Sequence, residues 1–425
     1  MIRYQEKTIG PEHAAAGADE FIAPAPRVSV QAFCETAETA SIVQTAGEDR
    51  RLAKVHLRLQ MGGITAALEA YRTSPTPNVV ILESESRGEG ILTKLDELAH
   101  ICDASTRVIV IGRHNDVLLY RDLIRRGVSE YLIAPLTAID VVRAVCVLFN
   151  APDAKPIGKI LAVVGAKGGV GASSVAHNIA WAVAKDMQLD AVIADLDLPF
   201  GTAGLDYNQD PTQGIADAVF SPDRVDTAFV DRLLSKCTDH LSLLAAPATL
   251  DRVYDFGAEA FDPIFDVLRL AVPYVVLDVP HQWSAWTRRA LVGADDILVV
   301  ASPDLANLRN TKSMIDLLRG ARQNDRRPLY ALNMVGIPKR PEIKPGDFAK
   351  AIEDEPIAVI PFDPQIFGTA ANNGQMISEL ASGHRISEMF RSMAHCLTGR
   401  AETKSSRTGI LPPVFAKLLQ RHAAR

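Results

Sequence analysis

Residues 160–174 read Ile-Leu-Ala-Val-Val-Gly-Ala-Lys-Gly-Gly-Val-Gly-Ala-Ser-Ser, and this stretch decides the fold. The apolar run 160–164 predicts a buried strand, and the glycine-rich run 165–171 predicts a tight turn. From Ser173 onward the apolar spacing is that of a helix. A strand, a glycine turn and a helix form a phosphate-binding loop, because glycines let backbone N–H groups converge and the helix N-terminus adds positive potential.

The loop departs from the usual phosphate-loop pattern at two positions. That pattern ends in Gly-Lys-Ser/Thr, but Ala172 stands at the lysine position and Ala166 at the opening glycine position. One cation, Lys167, remains at the front of the loop. A glycine-rich turn is weak evidence by itself, so a tight turn without a ligand is the alternative that the loop leaves open.

Three aspartates follow or end predicted strands. Asp195 and Asp197 come directly after the strand 191–194, and Asp278 lies near the end of the strand 273–279. Open α/β sheets bind ligands at the carboxyl ends of their strands, so we expect these carboxylates beside the loop. A carboxylate at the end of a rigid strand suits Mg²⁺. The alternative for Asp195 and Asp197 is a pair of solvated acids.

The order Lys-Gly-Gly-Val-Gly-x-Ser resembles the deviant phosphate loop of the MinD/ParA family. The resemblance implies two catalytic residues, Lys167 acting across a dimer on the partner's nucleotide and Asp197 orienting or deprotonating the attacking water. It implies a Mg²⁺ site formed by Ser173, Asp195 and Asp278. The residues that it assigns to nucleotide binding, the last three around the base, are Lys167, Gly168, Gly169, Val170, Gly171, Ala172, Ser173, Ser174, Asn333, Pro361 and Asp363.

The region 27–150 alternates predicted strands and helices, which implies a parallel sheet covered on both faces. The run Gly-Val-Ser-Glu-Tyr-Leu-Ile-Ala-Pro at 127–135 resembles a response-regulator receiver domain, where Gly-x-x-x-Tyr-Leu-x-Lys-Pro is typical. The strands are predicted at 28–33, 53–57, 79–82, 108–111 and 131–133.

The residues that a receiver needs for phosphorylation are missing from their expected positions. Glu83 replaces the phosphoacceptor aspartate, Gly112 the hydroxyl residue and Ala134 the lysine, and only Cys34-Glu35 stands where an acidic cluster would hold Mg²⁺. We therefore interpret this region as a degenerate receiver used for docking or dimerisation. We interpret Glu83 itself as an ordinary exposed carboxylate at a strand end.

Composition limits the classes of protein that fit the chain. Its 425 residues are 48% hydrophobic and 23% charged, so two or three packed domains can form. A net charge of −6 argues against general nucleic-acid binding. Five scattered cysteines without a Cys-x-x-Cys pair fit a reducing cytoplasm. The first residues do not resemble a signal peptide, and no apolar run reaches the ~20 residues of a membrane span.

These patterns predict two doubly wound α/β domains with parallel sheets. A basic amphipathic segment at 410–425 has two interpretations, contact with a membrane or docking to a partner or to the rest of the chain. The predicted segments are 1–26, a disordered tail; 27–150, the receiver-like (flavodoxin-like) domain; 151–158, a linker; 159–396, the MinD/ParA-like P-loop domain; and 397–425, a linker with the amphipathic segment.

A degenerate receiver joined to a MinD/ParA-like domain with alanine at the loop-lysine position resembles the CpaE/TadZ family of Flp (type IVb, tight-adherence) pilus assembly proteins. The resemblance implies a cytoplasmic homodimer that binds ATP and Mg²⁺ at the cell pole or inner-membrane face. It implies as partners the pilus motor ATPase and inner-membrane or polar assembly proteins, and no nucleic acid. Since Ala172 removes positive charge beside the phosphates, we expect weak hydrolysis or none.

Two alternatives stay open. In the first, the loop is a relic and the protein is a nucleotide-independent polar scaffold. In the second, the protein is a ParA-like ATPase that segregates DNA or cargo, although Ala172, the negative net charge and the lack of a basic arm speak against it. Titration with ATP and Mg²⁺ separates the scaffold from the ATP-dependent hypothesis.

Overall fold

The computed structural model describes residues 21–85, 89–103, 105–149 and 157–399. The remaining parts of the expected tail, linker and C-terminal segment, namely 1–20, 150–156 and 400–425, lie outside the described residues. The chain forms two α/β domains, each with a sheet between two apolar layers, which confirms the predicted fold class.

The N-terminal domain has a parallel sheet of five strands. Its elements are β1 (Val28–Cys34), α1 (Ala37–Gly47), β2 (Val55–Met61), α2 (Gly63–Tyr71), β3 (Val79–Glu83), α3 (Glu89–Ala99), β4 (Arg107–Gly112), α4 (Val117–Arg125), β5 (Glu130–Ile133) and α5 (Ala138–Val147). The strand order β2-β1-β3-β4-β5 is the flavodoxin-like order.

Two parts of this domain differ from the predictions. The strand predicted at 53–57 begins only at Val55, because residues 50–52 form a 3₁₀ turn that Asp49 caps. The tail predicted at 1–26 is ordered in its last residues. Ile22 and Ala25 are buried in the apolar layer beside α1 and α5, and the Ala25 N–H donates to the Arg51 carbonyl at 2.9 Å. Apolar anchoring therefore extends the folded domain to these residues.

The C-terminal domain contains the glycine-rich loop and a larger sheet. Its elements are β6 (Lys159–Gly165), α6 (Ala172–Trp181), β7 (Ala191–Asp195), α7 (Ala203–Asp206), α8 (Ile215–Val219), α9 (Thr227–Leu233), β8 (Ser235–Lys236), β9 (Leu241–Leu244), α10 (Asp262–Ala271), β10 (Tyr274–Val279), α11 (Ala285–Gly293), β11 (Asp296–Ala301), α12 (Leu305–Ala321), β12 (Leu329–Val335), α13 (Pro345–Ile352), β13 (Ala358–Pro361), α14 (Pro364–Asn373), α15 (Ile377–Leu380) and α16 (Arg385–Thr398).

The eight strands lie in the order β13-β12-β11-β6-β10-β7-β9-β8, and β6 is central. Its strand pairs are parallel except for β8 with β9, two short strands that the sequence pattern does not predict. The last helix ends at Thr398, so the domain extends beyond the predicted boundary at 396. Among the described residues, no helix combines the length and the hydropathy that a bilayer crossing needs.

The two domains meet at the amino ends of their strands. Arg50, between α1 and β2, donates to Asp295 at 3.0 Å and to Asp325 at 2.6 Å, and these side chains are at most 8% exposed. Asp295 precedes β11, and Asp325 lies between α12 and β12. In such sheets a residue between a helix and the next strand lies at the amino edge. Both carboxyl edges, where ligands bind, are therefore remote from this joint.

Candidate functional site

The glycine-rich turn connects β6 to α6 at the carboxyl edge of the larger sheet. Gly169 and Gly171 have φ angles of +77° and +81°, a backbone conformation that favours glycine. A Cβ atom at Gly171 would lie 2.7 Å from Nδ2 of Asn333. Residues 167–169 are exposed, whereas Val170 is buried and anchors the turn.

Three side chains from other elements form hydrogen bonds with backbone carbonyl oxygens of the turn. The contacts are Asn333 Nδ2 to Val170 O at 2.8 Å, Asn310 Nδ2 to Ala166 O at 2.8 Å, and His281 Nδ1 to Gly165 O at 2.9 Å. Asn333, predicted to contact the base, thus donates its amide N–H to the loop. Sequence reasoning did not assign Asn310 or His281 to the loop, because nothing in their local pattern indicates these long-range contacts.

The N-terminus of α6 lies open to an anion. The helix begins at Ala172, and its N-cap residue Gly171 has no side chain with which to bind the first N–H groups. Ser173 and Ser174 follow in the first turn and are half-buried. Since helix N-terminal N–H groups need an acceptor and carry positive potential, this end of α6 fits a phosphate group.

Asp195 and Asp278 lie side by side, at paired positions of the neighbouring strands β7 and β10. Both are at most 3% exposed. Burial, and then the negative charge of Asp278, raises the pKa of Asp195 to about 7. The Asp195 carboxylate accepts bonds from the N–H groups of Asp197 and Ala203, both at 3.1 Å. A divalent cation would relieve the repulsion between the two acids, so the pair fits Mg²⁺.

Asp197 lies two residues beyond β7 and is half-buried. Its Oδ1 atom accepts a bond from the Phe200 N–H at 3.2 Å. Burial raises the pKa of Asp197 although this bond opposes the shift, and the charge of Asp278 adds to the increase. A cavity of about 200 Å³ lies beside Asp197 and also contacts Arg252 and Trp286. A carboxylate with a raised pKa suits proton transfer, and its action on water stays a prediction.

Lys167 is exposed at the front of the loop. Burial alone would raise the pKa of Asp304, the N-cap of α12, but hydrogen bonds from Asn307 and the charge of Lys167 lower it. The ammonium group therefore lies in the field of the α12 N-terminus rather than against the buried acids. Its predicted action on a second copy's nucleotide needs such an exposed position.

Pro361 and Asp363 lie at the far edge of the sheet. Pro361 ends β13 opposite Val335 of β12. Asp363 caps α14, where its Oδ1 atom accepts from the Ile366 N–H at 3.1 Å. Because β12 also carries Asn333, the three predicted base contacts lie on or next to two neighbouring strands. Their contacts with a base stay predictions.

Sequence reasoning missed His177, a fully buried residue of α6. Its Nδ1 atom lies 2.7 Å from Asp206 Oδ2, and its Nε2 atom lies 3.2 Å from Asp278 Oδ2. Burial alone would lower the pKa of His177, but the two carboxylates raise it to about 10. The available signal was a histidine within the mostly apolar helical stretch 175–180.

The corresponding edge of the N-terminal sheet is closed. Glu83, predicted to be an exposed carboxylate, is 3% exposed, so that prediction is wrong. Burial alone would raise the pKa of Glu83, but hydrogen bonds lower it. Its carboxylate reaches the N-terminus of α1, which explains the burial. The four donors are the N–H groups of Glu35 at 2.7 Å and Thr36 at 2.8 Å, and the hydroxyls of Thr36 at 2.7 Å and Thr39 at 2.6 Å.

Comparisons with known proteins support the fold and the family. No protein-family model matches the chain. A solved pilus assembly protein, CpaE from Caulobacter crescentus, is 42% identical over 30% of this chain and 98% of that one, with a TM-score of 0.29. A solved ParA family ATPase from Chlorobium tepidum is 22% identical over 56% of this chain and 98% of that one, with a TM-score of 0.51, which supports the fold.

A curated relative matches only in part. The septum site-determining protein MinD of Synechocystis is 26% identical over 163 residues, which are 38% of this chain and 60% of that protein. This chain therefore matches less than two thirds of the length of that relative.

Proposed function

Because this chain belongs to the CpaE family of pilus assembly proteins, we propose that it is an ATP-binding, dimer-forming localisation and assembly factor of a Flp (type IVb, tight-adherence) pilus. The family assignment rests on the 42% identity over 98% of the Caulobacter chain. The proposed place of action is the cytoplasmic face of the inner membrane or the cell pole. The proposed partners are the pilus motor ATPase and inner-membrane or polar assembly proteins.

One observation carries the nucleotide part of the proposal, the uncapped N-terminus of α6 beside the buried acids Asp195 and Asp278. In this arrangement residues 167–174 would hold the phosphates, and Ser173 with the two acids would hold Mg²⁺. When bound, the metal supplies positive charge to the phosphates. Three side chains bind the backbone carbonyls of the loop, and this bracing lowers the cost of ordering the loop on binding.

The site is poorly equipped for ATP hydrolysis. Ala172 leaves the loop without the lysine that would stabilise charge on the transferred phosphate. Lys167 is exposed and can act only on a nucleotide in front of it, which a second copy would present. We therefore propose that ATP stabilises a homodimer and that hydrolysis is slow or absent.

The test combines calorimetric titration with sedimentation of the full chain. The wild type should bind ATP with Mg²⁺ and then sediment as a dimer. Lys167→Ala should bind ATP but lose the ATP-dependent dimer, whereas the exposed Lys185→Ala should behave like the wild type. Unchanged ATP-dependent sedimentation of Lys167→Ala would contradict the role of this lysine. If the wild type binds no ATP, the nucleotide-independent scaffold is the hypothesis that remains.

A further inference from the structure

The side chain of His177 bridges two carboxylates inside the C-terminal domain. One is Asp278, the acid at the end of β10, at 3.2 Å, and the other is Asp206, the last residue of α7, at 2.7 Å. The helix α7 follows the loop that carries Asp197, which begins directly after Asp195 at the end of β7. One buried imidazole thus connects the strand-end acid to the segment after β7.

His177 lies close to the strand-end acid Asp278. Among the residues that the structure describes, His177 is the only basic side chain within 4.0 Å of Asp278. Ala172 stands where a loop lysine is expected, and His177 lies five residues further along the same helix. With 3.6 residues per turn, this places the imidazole about one and a half turns behind the loop.

We propose that His177 is the positioning residue that holds Asp278 for Mg²⁺. The proposal rests on the proposed function, because it concerns the Mg²⁺ that accompanies ATP. His177 touches neither the metal nor the nucleotide. It acts by fixing the orientation of Asp278 and by tying that acid to Asp206.

Two substitutions separate the two contacts of the imidazole. In His177→Asn the amide nitrogen takes the place of Nδ1, so the contact with Asp206 stays and the contact with Asp278 is lost. In His177→Gln the amide nitrogen takes the place of Nε2, so the contact with Asp278 stays and the contact with Asp206 is lost. The pair therefore tests which carboxylate matters.

The measured quantity is the ratio of two ATP dissociation constants of the full chain, one in EDTA and one in Mg²⁺. Residues that orient metal ligands change metal affinity by about 10- to 100-fold, so His177→Asn should lower this ratio about tenfold or more. His177→Gln should leave the ratio within about threefold of the wild type, because it keeps the group that faces Asp278. A merely structural role would lower the denaturation midpoint and leave the ratio unchanged.

One further variant controls the result. Tyr207→Phe removes the hydroxyl that donates to the His177 carbonyl at 2.7 Å, in the same buried surroundings, and should leave the ratio unchanged. A lowered ratio in Tyr207→Phe would mean that any change in these buried surroundings disturbs the metal site.

The outcomes separate the two proposals. If the wild type binds no ATP, or binds it equally well with and without Mg²⁺, the proposed function fails and the role of His177 fails with it. If the wild type depends on Mg²⁺ and His177→Asn keeps that dependence, only the role of His177 is overturned. The same holds if His177→Asn and His177→Gln lower the ratio equally.

Discussion

Both sheets end in buried carboxylates at their carboxyl edges, but the two edges are in opposite electrostatic states. Glu83, at the end of β3, accepts four hydrogen bonds, and these lower its pKa against the effect of burial. Asp195 and Asp278 are buried neighbours, and the pKa of Asp195 is raised to about 7. The first edge satisfies its charge with donors of its own chain. At the second edge the pKa of Asp195 stays raised although the charge of His177 opposes the shift, so a further cation can stabilise the pair.

The comparison teaches that the position of a carboxylate in an α/β sheet does not decide its use. Both acid positions lie where parallel strands end, which is the usual ligand edge. What differs is the number of donors nearby, because N–H groups at the N-terminus of α1 bind the Glu83 carboxylate, whereas the N-terminus of α6 has no side-chain cap. The domains meet at their amino edges, around Arg50, so the two carboxyl edges lie far from this contact.

The largest expected effect comes from breaking that joint. Arg50→Ala leaves the buried acids Asp295 and Asp325 without one of their positive partners. Removing one partner of a buried ion pair costs about 3–5 kcal/mol, so the free energy of unfolding should fall by about this amount. ATP affinity should stay unchanged, because both carboxyl edges remain intact.

Urea denaturation followed by circular dichroism measures this change. The control is Arg121→Ala, an exposed arginine of α4, which should change the free energy of unfolding by about 0.5 kcal/mol or less. If Arg50→Ala unfolds at the urea concentration of the wild type, the joint does not hold the domains. If it alters ATP affinity, the two edges are not independent.

The closed edge is tested by Glu83→Gln. The neutral amide keeps only one acceptor oxygen, so all four donors lose a charged partner and two of them also lose their acceptor. We expect a loss of about 2–3 kcal/mol in the free energy of unfolding. The folded-state pKa of Glu83 lies below its unfolded value. Its stabilisation is therefore present above about pH 4.3 and is lost as the pH falls through the folded-state pKa.

Urea midpoints of the wild type and Glu83→Gln should accordingly converge in acid. Glu97→Gln, on the exposed side of α3, is the matched control and should follow the wild type at every pH. A Glu83→Gln protein as stable as the wild type at neutral pH would mean that the donors find other acceptors, and the contrast between the edges would weaken.

The sequence predicts the strands and the positions of the acids at their ends, but not the electrostatic difference between the two edges. Apolar runs bounded by glycine or acid predict β6, β7 and β10 and place Asp195 and Asp278 at one edge. The burial of Glu83 depends on Thr36 and Thr39, which lie more than forty residues away in the chain. No local pattern reports such a contact. Ile22 shows the same limit, since its anchoring comes from a layer built by distant helices.

The smallest expected effect concerns the carboxyl edge of the larger sheet, which carries Asp195 and Asp278 and is called the open edge below. The raised pKa of Asp195 means that the folded state holds a proton that the unfolded state releases between about pH 4 and pH 7. The unfolded state then binds fewer protons, so the free energy of unfolding of the wild type should fall as the pH rises through this window. Asp195→Asn cannot ionise and should lose less stability.

Measurements between about pH 4.5 and 6.5 in EDTA isolate this group, because His177, with a pKa raised to about 10, stays charged in the folded state there. Across this range Asp195→Asn should gain about 1–2 kcal/mol in the free energy of unfolding relative to the wild type, because one ionising group changes this free energy by at most about 1.4 kcal/mol per pH unit. The control is Asp210→Asn at an exposed position, and its free energy of unfolding should change with pH in parallel with that of the wild type. If Asp195→Asn also runs parallel, the two acids do not repel each other, and the open edge is as well satisfied as the closed one.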